Sequence, residues 1–107
     1  MTDSRGLAHM VYFTLNDPSA ENIQKLIDSS YRNLANIPGV TCFGAGRLVE
    51  DLARPVNDRA FHVGLNVVFS SRAAHDSYQQ DPNHLAFIAE CKPLWAQVRV
   101  FDSWLDG

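Results

Sequence analysis

The chain is 107 residues long, 46% hydrophobic and 20% charged, with a formal net charge of -3. Those values describe one globular domain, or one subunit of a larger assembly, and exclude a disordered chain. The nine basic residues are scattered singly and leave no electrostatic footprint for nucleic acid, and no apolar run approaches the ~20 residues of a membrane span.

Cys42 and Cys91 stand alone, with no CxxC and no metal-type spacing to a histidine. They read as two buried, reduced thiols of a cytosolic protein. Residues 1–6 form a polar tail without the apolar stretch of a signal peptide, so the expectation is a soluble, cytoplasmic protein.

Residues 7–15 read as the first strand. Val11, Phe13 and Leu15 alternate with Met10, Tyr12 and Thr14, and both faces are rather apolar. Such a strand belongs in the middle of a sheet, covered on both sides. His9 shares parity with Val11 and Phe13. Ser19 is a good N-cap for a helix whose buried stripe is Ile23, Leu26, Ile27, Tyr31 and Leu34. Ile37-Pro38-Gly39 ends it, since the residue before proline leaves the helical region and glycine takes the turn.

Residues 40–49 form a second strand, where Gly44 and Gly46 mark a bend or a patch that something approaches closely. A polar loop over residues 50–58 then joins it to an antiparallel partner. That third strand, residues 60–69, has Phe61, Val63, Leu65, Val67 and Phe69 on one face and His62, Gly64, Asn66 and Val68 on the other. Ser70 or Ser71 caps a short helix through Tyr78. Asp81 then caps a further helix with Pro82 in its first turn, and Leu85, Phe87, Ile88, Cys91 and Leu94 are its buried positions. Residues 95–104 form the last strand, with Val98, Val100, Asp102 and Trp104 on one face.

Strand, helix, strand, strand, helix, strand is the ferredoxin-like βαββαβ order of an α+β subunit: an antiparallel four-stranded sheet with its helices on one face. The uncovered face would carry many apolar or small residues, so a homodimer burying it sheet against sheet is the economical solution.

Several stretches resemble the stress-responsive α/β-barrel (Dabb) family. They are His9-Met-Val-Tyr-Phe, Ile37-Pro38-Gly39-Val40, the strand from Phe61 to Phe69, Tyr78-x-x-Asp81-Pro82-x-His84 and Val100-Phe101-Asp102. Together they span residues 7–104. The resemblance implies a subunit that dimerises into an α/β barrel. It also implies, by likeness to the olivetolic acid cyclase branch, a cofactor-free aldol cyclisation of a polyketide. There a histidine of the Pro-x-His motif is the general base, helped by a tyrosine six residues earlier. His84 and Tyr78 match those positions. His9, His62 and Asp102 match a histidine of the first strand, one of the third and an aspartate of the last. The motif often reads His-Pro-x-His, whereas here Asp81 precedes Pro82.

The residues also speak for themselves. A histidine in the first turn of a helix is disfavoured as imidazolium, which suits a neutral base. Tyr78 can donate to a developing enolate oxygen, or sit at the core edge with its hydroxyl in water. A carboxylate among valines and tryptophan is costly unpaired, and His9 is the natural partner for Asp102. His75 reads as an exposed helix residue. His9, His62 and His84 show no HExxH-type spacing, so no metal is expected, and the resemblance implies no cofactor. Two readings of function follow: a small cyclase, lyase or isomerase using His84 as base, and a non-catalytic dimer that binds a small molecule in the same cavity. A haem-degrading monooxygenase is a third, without the residue pattern it needs.

Overall fold

A computed structural model describes residues 4–106. Strand β1 spans Gly6–Leu15, helix α1 Ala20–Leu34, β2 Val40–Arg47, β3 Val63–Phe69, α2 Arg72–Gln80, α3 Pro82–Cys91 and β4 Trp95–Leu105. The strands form one antiparallel sheet in the order β2-β3-β1-β4, with β1 and β3 in the middle. This is the ferredoxin-like arrangement, its second helix broken in two at Asp81. Of the polar tail, Met1 to Asp3 lie outside the described residues, and Gly6 already belongs to β1.

Local chemistry explains the boundaries. Ser19 Oγ accepts from the Asn22 backbone N–H at 3.1 Å, and Asn22 Nδ2 donates back to the Asp17 carbonyl at 2.9 Å. These satisfy groups that the start of α1 leaves free. Ser71, not Ser70, caps α2, accepting from the Ala74 N–H at 3.1 Å. Gly39 carries the turn into β2 at φ 93°, a conformation that L side chains resist. Asp81 ends α2 and begins α3 at once. Pro82 holds it extended at ψ 135°, its N–H bonds the Tyr78 carbonyl, and its carboxylate caps Asn83.

The core lies between the sheet and the helices. Phe13, Val63, Leu65, Val67 and Phe69 pack under Leu26, Leu34, Phe87 and Cys91, all nearly inaccessible. Each such side chain contributes roughly 1.5–3 kcal/mol of burial. Among the described residues no helix is long and apolar enough to cross a membrane.

Several expectations fail for identifiable reasons. Phe61 does not continue the face of β3. The strand begins at Val63, and Phe61 turns to the opposite face against Tyr12, with ring centroids 4.8 Å apart. Leu85 is 54% exposed, because the buried stripe of α3 runs through His84, Phe87 and Cys91 and leaves Leu85 off it. Tyr31 is largely exposed. Its ring packs edge-on against Phe43, and its hydroxyl bonds the backbone of Ala45. Cys42 is exposed on the edge strand β2, and only Cys91 is buried. Burial raises the Cys91 thiol pKa. No protein atom comes within 4 Å of a side chain built on Gly44 or Gly46, so that patch is open. The second face of β1 is half-covered at Met10, Tyr12 and Thr14 rather than closed.

Candidate functional site

The site grows from the register of two neighbouring strands. His9 on β1 stands directly opposite Asp102 on β4. Directly opposed side chains share a face, and here His9 Nδ1 and Asp102 Oδ1 lie 2.5 Å apart. The imidazole is 8% exposed and the carboxylate 45%, so the pair runs from the core to the surface. This is the partnership expected for a carboxylate on that strand.

Helix α2 lays Tyr78 and His75 over it, three residues apart and therefore on one face. Tyr78 is 1% exposed. Its ring lies 4.8 Å from Phe69, 6.1 Å from His9 and 4.6 Å from His84, centroid to centroid. Burial lifts the phenol pKa well above its ordinary value. Tyr78 therefore keeps its proton and acts as a donor, not a base.

His84 is the third residue of α3, after Pro82 and Asn83, and is 9% exposed. Burial lowers its pKa. A hydrogen bond with the Gln79 backbone raises it, His9 and His75 lower it, and Asp81 raises it. The first influence is the largest and the imidazole stays neutral. Nδ1 is buried without a hydrogen-bond partner. In the tautomer with its proton on Nε2, Nδ1 keeps its lone pair.

His9, Tyr78 and His84 line a cavity of about 140 Å³ between the sheet and helices α2 and α3, whereas Asp102 lines a separate depression with Leu7 and Trp104. His9, Tyr78 and His84 contribute its polar part. Phe13, Phe87 and Trp95 contribute its aromatic part, with Phe13 and Trp95 5.1 Å apart and Phe87 and Trp95 6.0 Å apart. His9 and Phe13 are four residues apart on β1, roughly 13 Å of strand. Val98 and Val100 of β4 complete the wall and are 38% and 48% exposed, so the cavity opens past them. Larger depressions exist. One, of about 760 Å³, lies on the outer helical surface beside Lys25, Arg32 and Glu90, away from the histidines.

Four of the five residues expected in the site thus come together: His9, Tyr78, His84 and Asp102. His62 does not. It lies beside Leu48 and Val49 at the start of β3, and its Nδ1 accepts the Leu15 backbone N–H at 3.0 Å. The same departure from strand geometry that turns Phe61 away commits His62 to the backbone. His75, read as exposed, instead packs its ring edge-on to His9 at 5.3 Å and to Phe69 at 5.5 Å, with Nδ1 2.9 Å from Asp76. Its spacing from Tyr78 was the available signal. Trp95 was missed because only its place at the head of a strand was read.

With His62 elsewhere, the trio of His9, His62 and His84 is not assembled. Among the described residues His9, His75 and Asp102 offer ligand atoms within 4.8 Å of one another. Each imidazole there already has a carboxylate partner, His9 with Asp102 and His75 with Asp76.

Comparison with known proteins places this geometry. Over 96% of this chain and 99% of the other, it is 27% identical to a Dabb family protein with a ferredoxin-like fold from Mesorhizobium loti, with a TM-score of 0.78. It is 25% identical to the hydroxynitrile lyase of Passiflora edulis, over 97% of this chain and 96% of the lyase, with a TM-score of 0.75. A dimeric ferredoxin-like protein of unknown function from Thermobifida fusca shares the fold at a TM-score of 0.81, with 21% identity over 98% and 95% of the two chains. No curated protein matches the sequence. The family model of the stress responsive A/B barrel domain matches residues 7–105, nearly the whole described chain, and the protein belongs to that family.

Proposed function

We propose that this chain is the subunit of a homodimeric, cofactor-independent enzyme of lyase or cyclase type acting on a small carbonyl or hydroxyl compound. One observation carries the reading. A neutral, buried imidazole with a partnerless nitrogen stands 4.6 Å, ring to ring, from a phenol that keeps its proton, and both line one cavity. A lone pair and a proton donor side by side are what proton abstraction next to a carbonyl requires.

Two reactions begin with that step. In hydroxynitrile cleavage His84 takes the hydroxyl proton, the oxygen's electron pair becomes the carbonyl, the C–CN bond breaks and cyanide leaves with its pair. Cyanide then recovers the proton from His84. In cyclisation His84 takes a proton α to a carbonyl, the resulting enolate carbon bonds to a second carbonyl carbon of the same molecule, and that carbonyl's oxygen, left as an alkoxide, takes the proton back from His84. Tyr78 donates to the oxygen that carries charge in either case. Asp102 holds the His9 imidazole in place beside Tyr78. The likeness to a hydroxynitrile lyase at 25% identity favours the first reaction; the matched Tyr78 and His84 motif is shared with the second.

The homodimer is supported by relatives described as dimeric. It is also supported by an open sheet face that carries Tyr12, Phe61 and Phe101 on one part and the uncovered Gly44 and Gly46 on another. An aromatic ridge and a side-chain-free trough on one surface are self-complementary under a two-fold axis.

The test is turnover. Aromatic hydroxynitriles are followed by release of the aldehyde, and β-polyketide thioester analogues by ring closure in mass spectrometry. Activity on either series that disappears in His84→Ala supports the enzyme. Saturable binding of the same compounds with no turnover leaves the non-catalytic ligand-binding protein instead.

A further inference from the structure

The His9–Asp102 pair spans two recesses. His9 lines the cavity beside Tyr78, whereas Asp102 lines an open depression of about 150 Å³ with Leu7, Arg72, Ser103 and Trp104. His75 joins the pair from α2, its ring edge-on to His9 with centroids 5.3 Å apart. A ring nitrogen of each histidine and a carboxylate oxygen of Asp102 all lie within 4.8 Å of one another. Three elements, β1, α2 and β4, thus bring three metal-ligating side chains to one point.

The spacing suits a cation. Ligands 2.0–2.1 Å from a tetrahedral metal stand about 3.3 Å from each other. Here His9 Nδ1 and Asp102 Oδ1 are 2.5 Å apart, and no separation in the trio exceeds 4.8 Å. Asp102 and His75 have side chains 45% and 16% exposed, so rotation of these two closes the difference. His75 also has the outer support of a metal-bound imidazole. Its Nδ1 lies 2.9 Å from Asp76 Oδ1, which holds the ring proton there and leaves the other nitrogen its lone pair. Arg72 lines the depression too, but its Nε is paired with Asp76 at 3.0 Å. At His9 a neutral imidazole carries a single ring proton. With a metal on Nδ1 that proton sits on Nε2, and Asp102 changes from hydrogen-bond acceptor to ligand.

We propose that His9, His75 and Asp102 form a binding site for a zinc-type divalent cation, with Asp76 as the outer partner of His75. Two imidazoles and one carboxylate select a metal of this type over Mg²⁺, which favours an octahedron of oxygens. Three protein ligands leave a fourth position, which water fills from the open depression. The cation ties α2 to the edge strand β4 and fixes His9, a wall residue of the cavity. It has no part in the reaction assigned to His84 and Tyr78, and the site stands or falls apart from that reading.

The probe is Zn²⁺ alone, titrated by calorimetry into untagged protein that has been stripped with EDTA, with Mg²⁺ as the comparison. One Zn²⁺ binds per chain and raises the melting temperature, as binding to the folded state demands; Mg²⁺ does neither. Asp76→Ala weakens Zn²⁺ about 10- to 100-fold, the usual cost of losing an outer partner, and His75→Gln and Asp102→Asn, which remove ligands, weaken it further. Cys42→Ser, altered at the exposed thiol of β2, binds as wild type does. No Zn²⁺ binding by wild type, an affinity unchanged in any of the first three variants, or a loss in Cys42→Ser overturns the site. Should the variants not fold, the imidazole resonances of ¹⁵N-labelled wild type decide. Those of His9 and His75 shift on saturation with Zn²⁺ while that of His62 stays, and unmoved His9 and His75 signals overturn the proposal.

Discussion

Tyr78 and His84 face each other at 4.6 Å, centroid to centroid, across a break in the helix. Six residues apart on one continuous helix they would point to different sides. The extended Asp81, fixed by Pro82, swings α3 so that its third residue returns against the last turn of α2. The proline therefore makes the pair as much as either ring does. With the two rings in these roles, His84→Ala lowers kcat by about 100- to 10,000-fold, the usual worth of a positioned base. Tyr78→Phe lowers it by about 100- to 1,000-fold, the worth of one donor to a developing oxyanion. Steady-state kinetics on the substrate series check both, and a change in KM alone would contradict these roles.

The pH dependence follows from the same imidazole. Burial puts the His84 pKa below its ordinary value of 6.5. The base stays unprotonated as the pH falls through 6.5, so the acid limb of kcat/KM lies below 6.5. Stability changes in the same interval. The unfolded chain binds a proton at His84 where the folded chain does not, so this contribution is full above 6.5 and declines as the pH drops toward the folded pKa. Urea midpoints measured between pH 7.5 and 5 fall accordingly, and fall less in His84→Gln.

His62 separates structure from chemistry. Its acceptance of the Leu15 N–H replaces a backbone partner at the end of β1. His62→Ala leaves that donor to find water and costs about 1–3 kcal/mol in stability, while kcat changes little. Chemical denaturation and kinetics on the same variant show both effects. A loss of kcat without loss of stability would return His62 to the site.

Much of this architecture is legible in the residues themselves. Alternation over β1 and β3, the caps at Ser19 and Asp81 and the Pro38-Gly39 turn are local signals, and each appears where its chemistry requires. The pairing of His9 with Asp102 could be anticipated because an unpaired carboxylate among apolar neighbours is costly. What the sequence hides is where periodicity stops. Phe61 and His62 continue the pattern of β3 on paper, yet the chain leaves strand geometry before Val63, and both side chains change neighbours. Parity carries no information beyond the last ladder bond. His75 and Trp95 escaped for another reason. Their surroundings are set by the packing of α2 and β4 on the sheet, which no short window of sequence contains.

Gly39 offers a test of the scaffold alone. Its φ of 93° is unfavourable for any L side chain, and an added Cβ would lie 2.5 Å from Ala74 Cβ. Gly39→Ala therefore costs the backbone strain, about 1–2 kcal/mol, and the clash as well. Ala74→Gly in the same chain removes the clash and leaves the strain. The double variant is accordingly more stable than Gly39→Ala and less stable than Ala74→Gly alone. Urea unfolding of the three proteins measures each contribution separately.

The open sheet face yields the prediction on assembly. Tyr12 packs on Phe61 at 4.8 Å and on Phe101 at 5.9 Å, and Phe101 is 54% exposed in the single chain. An exposed aromatic cluster of this kind marks an interaction surface. Light scattering of the purified protein gives twice the chain mass of 12.0 kDa. Phe101→Asp places a charge in the middle of the ridge, where the dimer would have to bury it unpaired. The variant runs at the mass of one chain. Its fold survives, because Phe101 is no part of the buried core between the sheet and the helices. The melting temperature of the wild type rises with protein concentration, as linkage to association demands, and that of Phe101→Asp does not. A wild type of single-chain mass at all concentrations would place some other partner on this face.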